Sequence, residues 1–419
     1  MDRRVSRALR GLLLLLSWAA ATPLHAGAPT VDGSLRYDLY GYPDRDSRGD
    51  EVENFVEAIV RLRGRASVDV SYRFEGRAVA DDADFTAGGF DVRQSELRRP
   101  YLDLPEAVVD WTPTSGLRVS LGRQIVNWST IDEFQPANLL SPLDESDIFR
   151  RVPLGAFGAA AHYERGPVAA DLVVVPLAFQ MNRLPQGRWR FVPDEVGLQL
   201  HTPPVQLDET QAGVRVGTRF DSLEVALLGY VGRDMFPLFT LDRPPSESAP
   251  SPVVGARYTR TRAGGIVASM PVADSILLRS ECVYYSSPDE RREEFFQWVP
   301  LGIEYTRGDW RLVLNYLRYD RTAKGTGALN QGERRFYRSF VFGEASYEAG
   351  GRLRARVRAG YDTEGEFFLF EPDVSYRLWR ELRLSLVADV VQAQSTSSFS
   401  YFDLIRHEDR VGLRAQYFF

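Results

Sequence analysis

Several long stretches of this chain alternate apolar and polar side chains, a period-two pattern that only an extended strand with two unlike faces satisfies. In LRARVRAGY (353–361), Leu353, Ala355, Val357, Ala359 and Tyr361 share one face; Arg354, Arg356 and Arg358 share the other, joined by Arg352 from the turn. FFLFEPDVSYRL (367–378) sets Phe368, Phe370, Val374, Tyr376 and Leu378 against Glu371, Asp373 and Arg377. LRLSLVADV (382–390) sets Leu382, Leu384, Leu386, Ala388 and Val390 against Arg383, Ser385 and Asp389. Upstream, SVDVSYRFEGRA (67–78) opposes Val68, Val70, Tyr72 and Phe74 to Asp69, Ser71, Arg73 and Glu75. The chain ends in the same way, with Val411, Leu413, Ala415, Tyr417 and Phe419 alternating with Gly412, Arg414 and Gln416. Strands of globular proteins usually run ~5–6 residues, whereas a tilted strand crossing a bilayer needs ~9–11. The lengths here fit the second case.

The N-terminus reads as an export signal. Arg3, Arg4, Arg7 and Arg10 form a basic region, residues 11–21 are an apolar run, and Leu24-His25-Ala26 offers a small residue for cleavage. That run is shorter than the ~20 residues of a membrane-spanning helix, and no later run reaches eighteen apolar residues. An exported chain of this kind that resides in a membrane does so as a barrel. A cut after Ala26 removes four Arg and one Asp and takes the formal charge from −6 to −9, which argues against nucleic acid as a partner. The single Cys282 excludes an internal disulfide. His162, His201 and His407 have no metal-ligand spacing, and no cofactor motif occurs.

Connector lengths test the barrel separately, because external loops of such barrels are long and the opposite turns short. Segments 42–51, 81–94, 127–155, 181–209, 233–252, 286–294, 320–335 and 395–408 are long, and 362–366 is moderate. They alternate with the short segments 63–66, 112–116, 165–167, 221–222, 271–275, 306–309, 348–351 and 379–381. The expectation is an all-β, transmembrane antiparallel up-and-down β-barrel of 18 strands, occupying residues 27–419 after a signal peptide of 1–26. Pro100 and Pro105 within 95–111 leave 16 strands as an alternative. Barrels of ~16–18 strands enclose water, so a channel for small hydrophilic solutes is the implied function. Tyr37, Tyr163, Trp298, Trp310, Tyr316, Tyr361 and Trp379 are candidates for interfacial girdles.

The C-terminal strand, with Gly412, Tyr417 and the terminal Phe419, resembles the assembly signal of Gram-negative outer-membrane barrels. Length, signal and loop order look like the outer-membrane porin superfamily. LRVSLGRQIVNWSTIDEFQPANLLSPLDESD (117–147) is similar to a segment of the DUF1302-like outer-membrane proteins. These resemblances imply the outer membrane of a Gram-negative bacterium. Its lipid, the barrel-assembly machinery, small solutes and other copies of the chain would be the partners.

The third external connector carries Asp132, Glu133, Asp144, Glu145 and Asp147, then Arg150 and Arg151, with Pro136, Pro142 and Pro153 to stiffen it. In general porins the third loop folds inward, so these residues are expected at a constriction facing Arg354, Arg356 and Arg358. With Arg352, Glu371, Asp373, Arg377, Arg383 and Asp389 those arginines would line the pore, and their number suggests anions. Two alternatives stay open: a solvated surface loop, and arginines paired only with their own wall's carboxylates. A barrel hydrolase is the other functional class, but G-x-S-x-G is absent and His162 sits among alanines. A non-conducting barrel for assembly or adhesion would need an extra domain, and no such segment is visible.

Overall fold

The computed structural model describes residues 29–44, 49–82, 85–86, 88–90, 98–176, 181–190, 192, 195–204, 206–245, 251–323, 337–393 and 401–419. The signal segment 1–26 lies outside them. Eighteen strands pair in chain order into one sheet. The first nine are β1 (Thr30–Gly41), β2 (Val52–Arg65), β3 (Val70–Asp81), β4 (Leu102–Thr114), β5 (Leu117–Gln124), β6 (Ala156–Arg165), β7 (Val168–Val175), β8 (Gln211–Phe220) and β9 (Leu223–Arg233). The second nine are β10 (Arg260–Ala273), β11 (Ile276–Ser286), β12 (Glu294–Arg307), β13 (Trp310–Ala323), β14 (Ser339–Ala349), β15 (Leu353–Asp362), β16 (Phe367–Arg377), β17 (Leu382–Ala393) and β18 (Arg410–Phe418). Neighbours are antiparallel throughout, and β1 pairs with β18 from Ser34↔Phe418 to Gly41↔Val411, which closes the cylinder.

The seventeen connectors fall within seven residues of where the sequence places them and alternate long and short, except that 363–366 is no longer than the short turn 378–381. Thr30, paired with Arg63, and Phe418, whose N–H donates to the Glu381 carbonyl at 2.7 Å, put both ends of the sheet at the short-turn rim. The 16-strand alternative fails because Pro100 precedes β4 and Pro105 sits in a bulge. Pairing jumps from Glu75↔Glu106 to Arg77↔Asp103, so Leu104 and Pro105 together face Gly76. A missing N–H is tolerated at that extra position.

Alternation becomes two walls. Leu35, Tyr37, Leu227, Leu312, Val357, Leu386 and Leu413 point outward and are exposed, Leu413 by 61%. An apolar surface running round a whole cylinder is far larger than water tolerates, and a bilayer is what covers it. The inner wall carries paired charge along β1–β3 and β14–β18. Along β7–β12 it holds an apolar patch, with Val173, Val175, Ala226, Leu228, Val283 and Tyr285 buried inside, beside the pairs Asp171–Arg215 and Arg279–Glu304 and the carboxylate of Glu281.

The seam between β1 and β18 is held by close approach. Gly33 and Phe419 exchange both backbone hydrogen bonds, at 3.0 and 3.1 Å, and the Phe419 ring lies over Gly33. A Cβ on Gly33 would meet the Ile59 carbonyl oxygen at 2.4 Å. Gly412 lies under the Tyr40 ring in the same way, while Tyr417 faces outward. Gly33→Ala is therefore expected to destabilise the seam by about 1–3 kcal/mol, measured as a lower temperature for loss of the compact, SDS-resistant form.

Candidate functional site

The connector 125–155, between β5 and β6, folds into the cylinder because the lumen offers it an apolar wall. Trp128, Ala137, Leu139 and Leu140 pack against the buried inner residues of β7, β9 and β11. One carboxylate on that wall fastens the loop at several points. Glu281, 1% exposed on β11, accepts hydrogen bonds from the Ser129 hydroxyl at 2.8 Å and the Thr130 hydroxyl at 2.9 Å. It also accepts the backbone N–H groups of Thr130, of Ile131 at 3.0 Å and of Ala137 at 3.2 Å. The Tyr285 hydroxyl donates to the Pro136 carbonyl at 2.9 Å.

The opposite face of the loop meets charge. Asp132 pairs with Arg279 and Arg311, and Glu133 pairs with Arg358 at 3.3 Å. Arg150 reaches Asp38 on β1 at 3.1 Å, and Arg151 pairs with Glu145 and donates to the Tyr337 hydroxyl. Asp144 and Asp147, expected at the constriction, are instead fully buried anchors. Asp144 takes Arg99 at 2.7 Å and Arg183 at 3.2 Å; Asp147 takes Arg410, which also holds Asp389. A buried carboxylate needs a partner in reach, and these arginines come from other connectors and from β18, which a linear reading of the loop does not display.

Burial opposes the charge of Asp144, but the guanidiniums of Arg99 and Arg183 outweigh it and hold its carboxyl well below the ordinary range. A carboxyl depressed by folding stabilises fully above its unfolded value of ~3.9, and the contribution is lost as pH falls through the lower folded value. Asp144→Asn, which strands two buried arginines, is expected to cost about 3–5 kcal/mol. Thermal melts of the two proteins should differ by a constant amount from pH 7 to about pH 4 and converge only in stronger acid.

Between loop and charged wall lies a cavity of about 450 Å³ bordered by Arg36, Arg356, Arg358 and Arg414 of the wall and Asp132 and Glu133 of the loop. A second cavity of about 490 Å³ sits on the short-turn side of Thr130, against β6–β10. Of the expected pore residues, Arg358 touches both Glu371 and the loop's Glu133, Arg356 pairs with Asp373 at 3.4 Å, and Asp389 is held by Arg410. The loop is therefore folded in and not a solvated surface loop, and the arginines pair both with it and with carboxylates of their own wall. Arg352, Arg354, Arg377 and Arg383 lie apart, toward the short-turn rim, with no carboxylate within 4.0 Å among the described residues.

One element escaped the sequence reading. Connector 176–210 leaves β7, and its Arg188 and Trp189 dock among residues of β1, β2 and the segment before β18. Arg188 donates to Glu53 at 2.7 Å, Glu408 at 2.9 Å and the Asp50 carbonyl at 2.7 Å, and its guanidinium lies over the Tyr42 ring. Trp189 is completely buried, edge-on to Phe149, and its carbonyl accepts from the Tyr401 hydroxyl at 2.7 Å. On a circle of eighteen strands, β7 and β2 are five places apart, so this strap crosses the long-loop mouth. A tryptophan between two arginines in a turn-rich connector (Arg188, Trp189, Arg190) is the trace it leaves in sequence.

No family model matches the sequence, and no curated protein does. Among solved structures the chain is similar to OccK3 (OpdO) of Pseudomonas aeruginosa, with TM-score 0.54 and 11% identity over 94% of this chain and 96% of that one. It is similar to a BenF-like porin from Pseudomonas fluorescens Pf-5, with TM-score 0.52 and 11% identity over 94% and 99%. The outer membrane protein OpdK of Pseudomonas aeruginosa gives TM-score 0.51 and 12% identity over 93% and 98%. At such identities the likeness is one of fold: this chain is built as an outer-membrane porin is built.

Proposed function

We propose that this protein is a channel of the Gram-negative outer membrane that passes small hydrophilic solutes, with a preference for anions set where the connector 125–155 faces the arginine wall. The observation that carries the reading is the folded-in connector, which narrows an eighteen-stranded lumen to a charged cavity of about 450 Å³ instead of filling it. The similar porin structures and the resemblance of residues 117–147 to DUF1302-like proteins support it. Opposed charges across a narrow, low-dielectric throat order water and sort solutes by sign. Hydrolysis gains no support from His162, which bonds Asp171 at 2.6 Å with no hydroxyl or thiol hydrogen-bonded to it among the described residues.

Replacing Arg356 and Arg358 together by Gln removes two positive charges from the throat. The anion/cation permeability ratio is expected to fall severalfold, read as a shift in reversal potential across a salt gradient in planar bilayers. An unchanged reversal potential rejects the role given to these arginines.

A further inference from the structure

Four arginines face one another at the short-turn rim of the lumen. Arg377 on β16 stands directly opposite Arg383 on β17. The Arg377 N–H donates to the Arg352 carbonyl at 2.8 Å, so the end of β15 adds Arg352 to the row, and Arg354 lies one inward position higher, opposite Ser375. Inward parity is shared, because Asp373, Ser375 and Arg377 alternate with exposed Val374 and Tyr376, and Arg383 and Ser385 alternate with exposed Leu384 and Leu386.

Like charges directly opposite on an antiparallel pair repel, and no salt bridge among the described residues relieves these. Arg383 is repelled by Arg377 and Arg354 and attracted only at a distance by Glu348 and Asp373. Asp373 is already engaged by Arg356 and Arg414. Glu348 stands opposite Arg354 in register without pairing to it. The Arg383 Nε is buried and has no hydrogen-bond acceptor among the described residues, and its guanidinium rests over the Phe418 ring. A structural role would have placed a carboxylate here, as the same wall does for Arg356, Arg358, Arg410 and Arg414.

We propose that Arg352, Arg354, Arg377 and Arg383 form an anion-binding site at the periplasmic mouth, separate from the constriction, for a small solute carrying two or more negative oxygens, such as inorganic phosphate or a dicarboxylate. Planar guanidinium forks match phosphate and carboxylate edges bidentately, and adjacent strands ~4.8 Å apart let two forks grip one anion. The anion supplies the negative charge that the wall omits. Its function in transport rests on the channel reading; its binding does not.

The test is therefore made without conduction. The full mature chain, folded in a maltoside detergent free of phospholipid, is titrated with inorganic phosphate at constant ionic strength, and calorimetry and thermal melts are recorded. Phosphate is expected to bind and raise the melting temperature of the unaltered protein, and R377Q/R383Q is expected to bind at least about tenfold more weakly. Without phosphate, R383Q alone should melt no lower than the unaltered protein, because it relieves repulsion. The proposal is overturned if phosphate fails to bind, if it binds R377Q/R383Q equally well, or if R383Q melts lower in phosphate-free buffer, which would assign Arg383 to a structural pair with Glu348.

Discussion

Glu281→Ala is expected to raise single-channel conductance severalfold while leaving the barrel folded. The Glu281 carboxylate is the acceptor shared by Ser129, Thr130, Ile131 and Ala137; its loss strands the backbone N–H groups of Thr130 and Ala137 and the Thr130 hydroxyl, while the Ile131 N–H and the Ser129 hydroxyl keep each other's residue as partner. A buried donor left unsatisfied costs roughly 1–3 kcal/mol, and the two N–H groups together amount to about 2–6 kcal/mol. The loop's apolar contacts, chiefly Trp128, Leu139 and Leu140 on the wall, and the ion pairs of Asp132 and Glu133 offset part of that cost, and the segment 129–137 is expected to swing from the β11 wall. Asp132 and Glu133 leave the throat with it, so anion preference should change along with conductance. Glu281→Gln keeps the shape and one acceptor oxygen and should fall between. Conductance equal to that of the unaltered protein, from a folded E281A barrel, would show that the segment does not limit the passage.

The second large effect belongs to the strap. Arg188 neutralises Glu53 and Glu408, which are both buried in the mouth, and removing one partner of such a cluster costs about 3–5 kcal/mol. Trp189→Ala opens a hole beside Phe149 and Tyr401 and costs a further ~3–5 kcal/mol in a separate variant. Either change removes contacts that hold residues 187–190 at the far side of the mouth, so that stretch should detach without unfolding the sheet, while Arg183 stays held by Asp103 and Asp144. Added protease should then cut near residues 187–190 in folded, SDS-resistant protein, where the unaltered chain resists. If Arg188→Ala leaves the strap protected, the cluster with Glu53 and Glu408 is not what fastens it.

Much of the fold was legible because each strand carries its own evidence. The alternation in 353–361 or 382–390 is local, and connector lengths needed only counting. The bulge at Pro105 was not, since it depends on how β3 pairs with β4. At the site, charge type and loop choice were readable, but contacts were not. Ser129 and Glu281 are 152 positions apart, and Arg188 and Glu408 are 220 apart. No period along the chain encodes such pairs. The apolar inner wall did leave a trace: in VAADLVVV (168–175) and LEVALLGYV (223–231) both registers are apolar but for Asp171 and Glu224. A strand greasy on both faces lies between lipid and something packed inside, and that something is the loop. The arginine row was also within reach, since folding the hairpin around the turn 378–381 sets Arg377 against Arg383.

The most direct test of a wet, loop-narrowed lumen is single-channel recording of the purified mature protein in planar bilayers beside E281A and R188A. Discrete conductance steps that scale with salt concentration, and that grow in the two variants, are expected. Silent membranes from all three proteins, each shown to be folded by SDS-resistant migration, would contradict a channel.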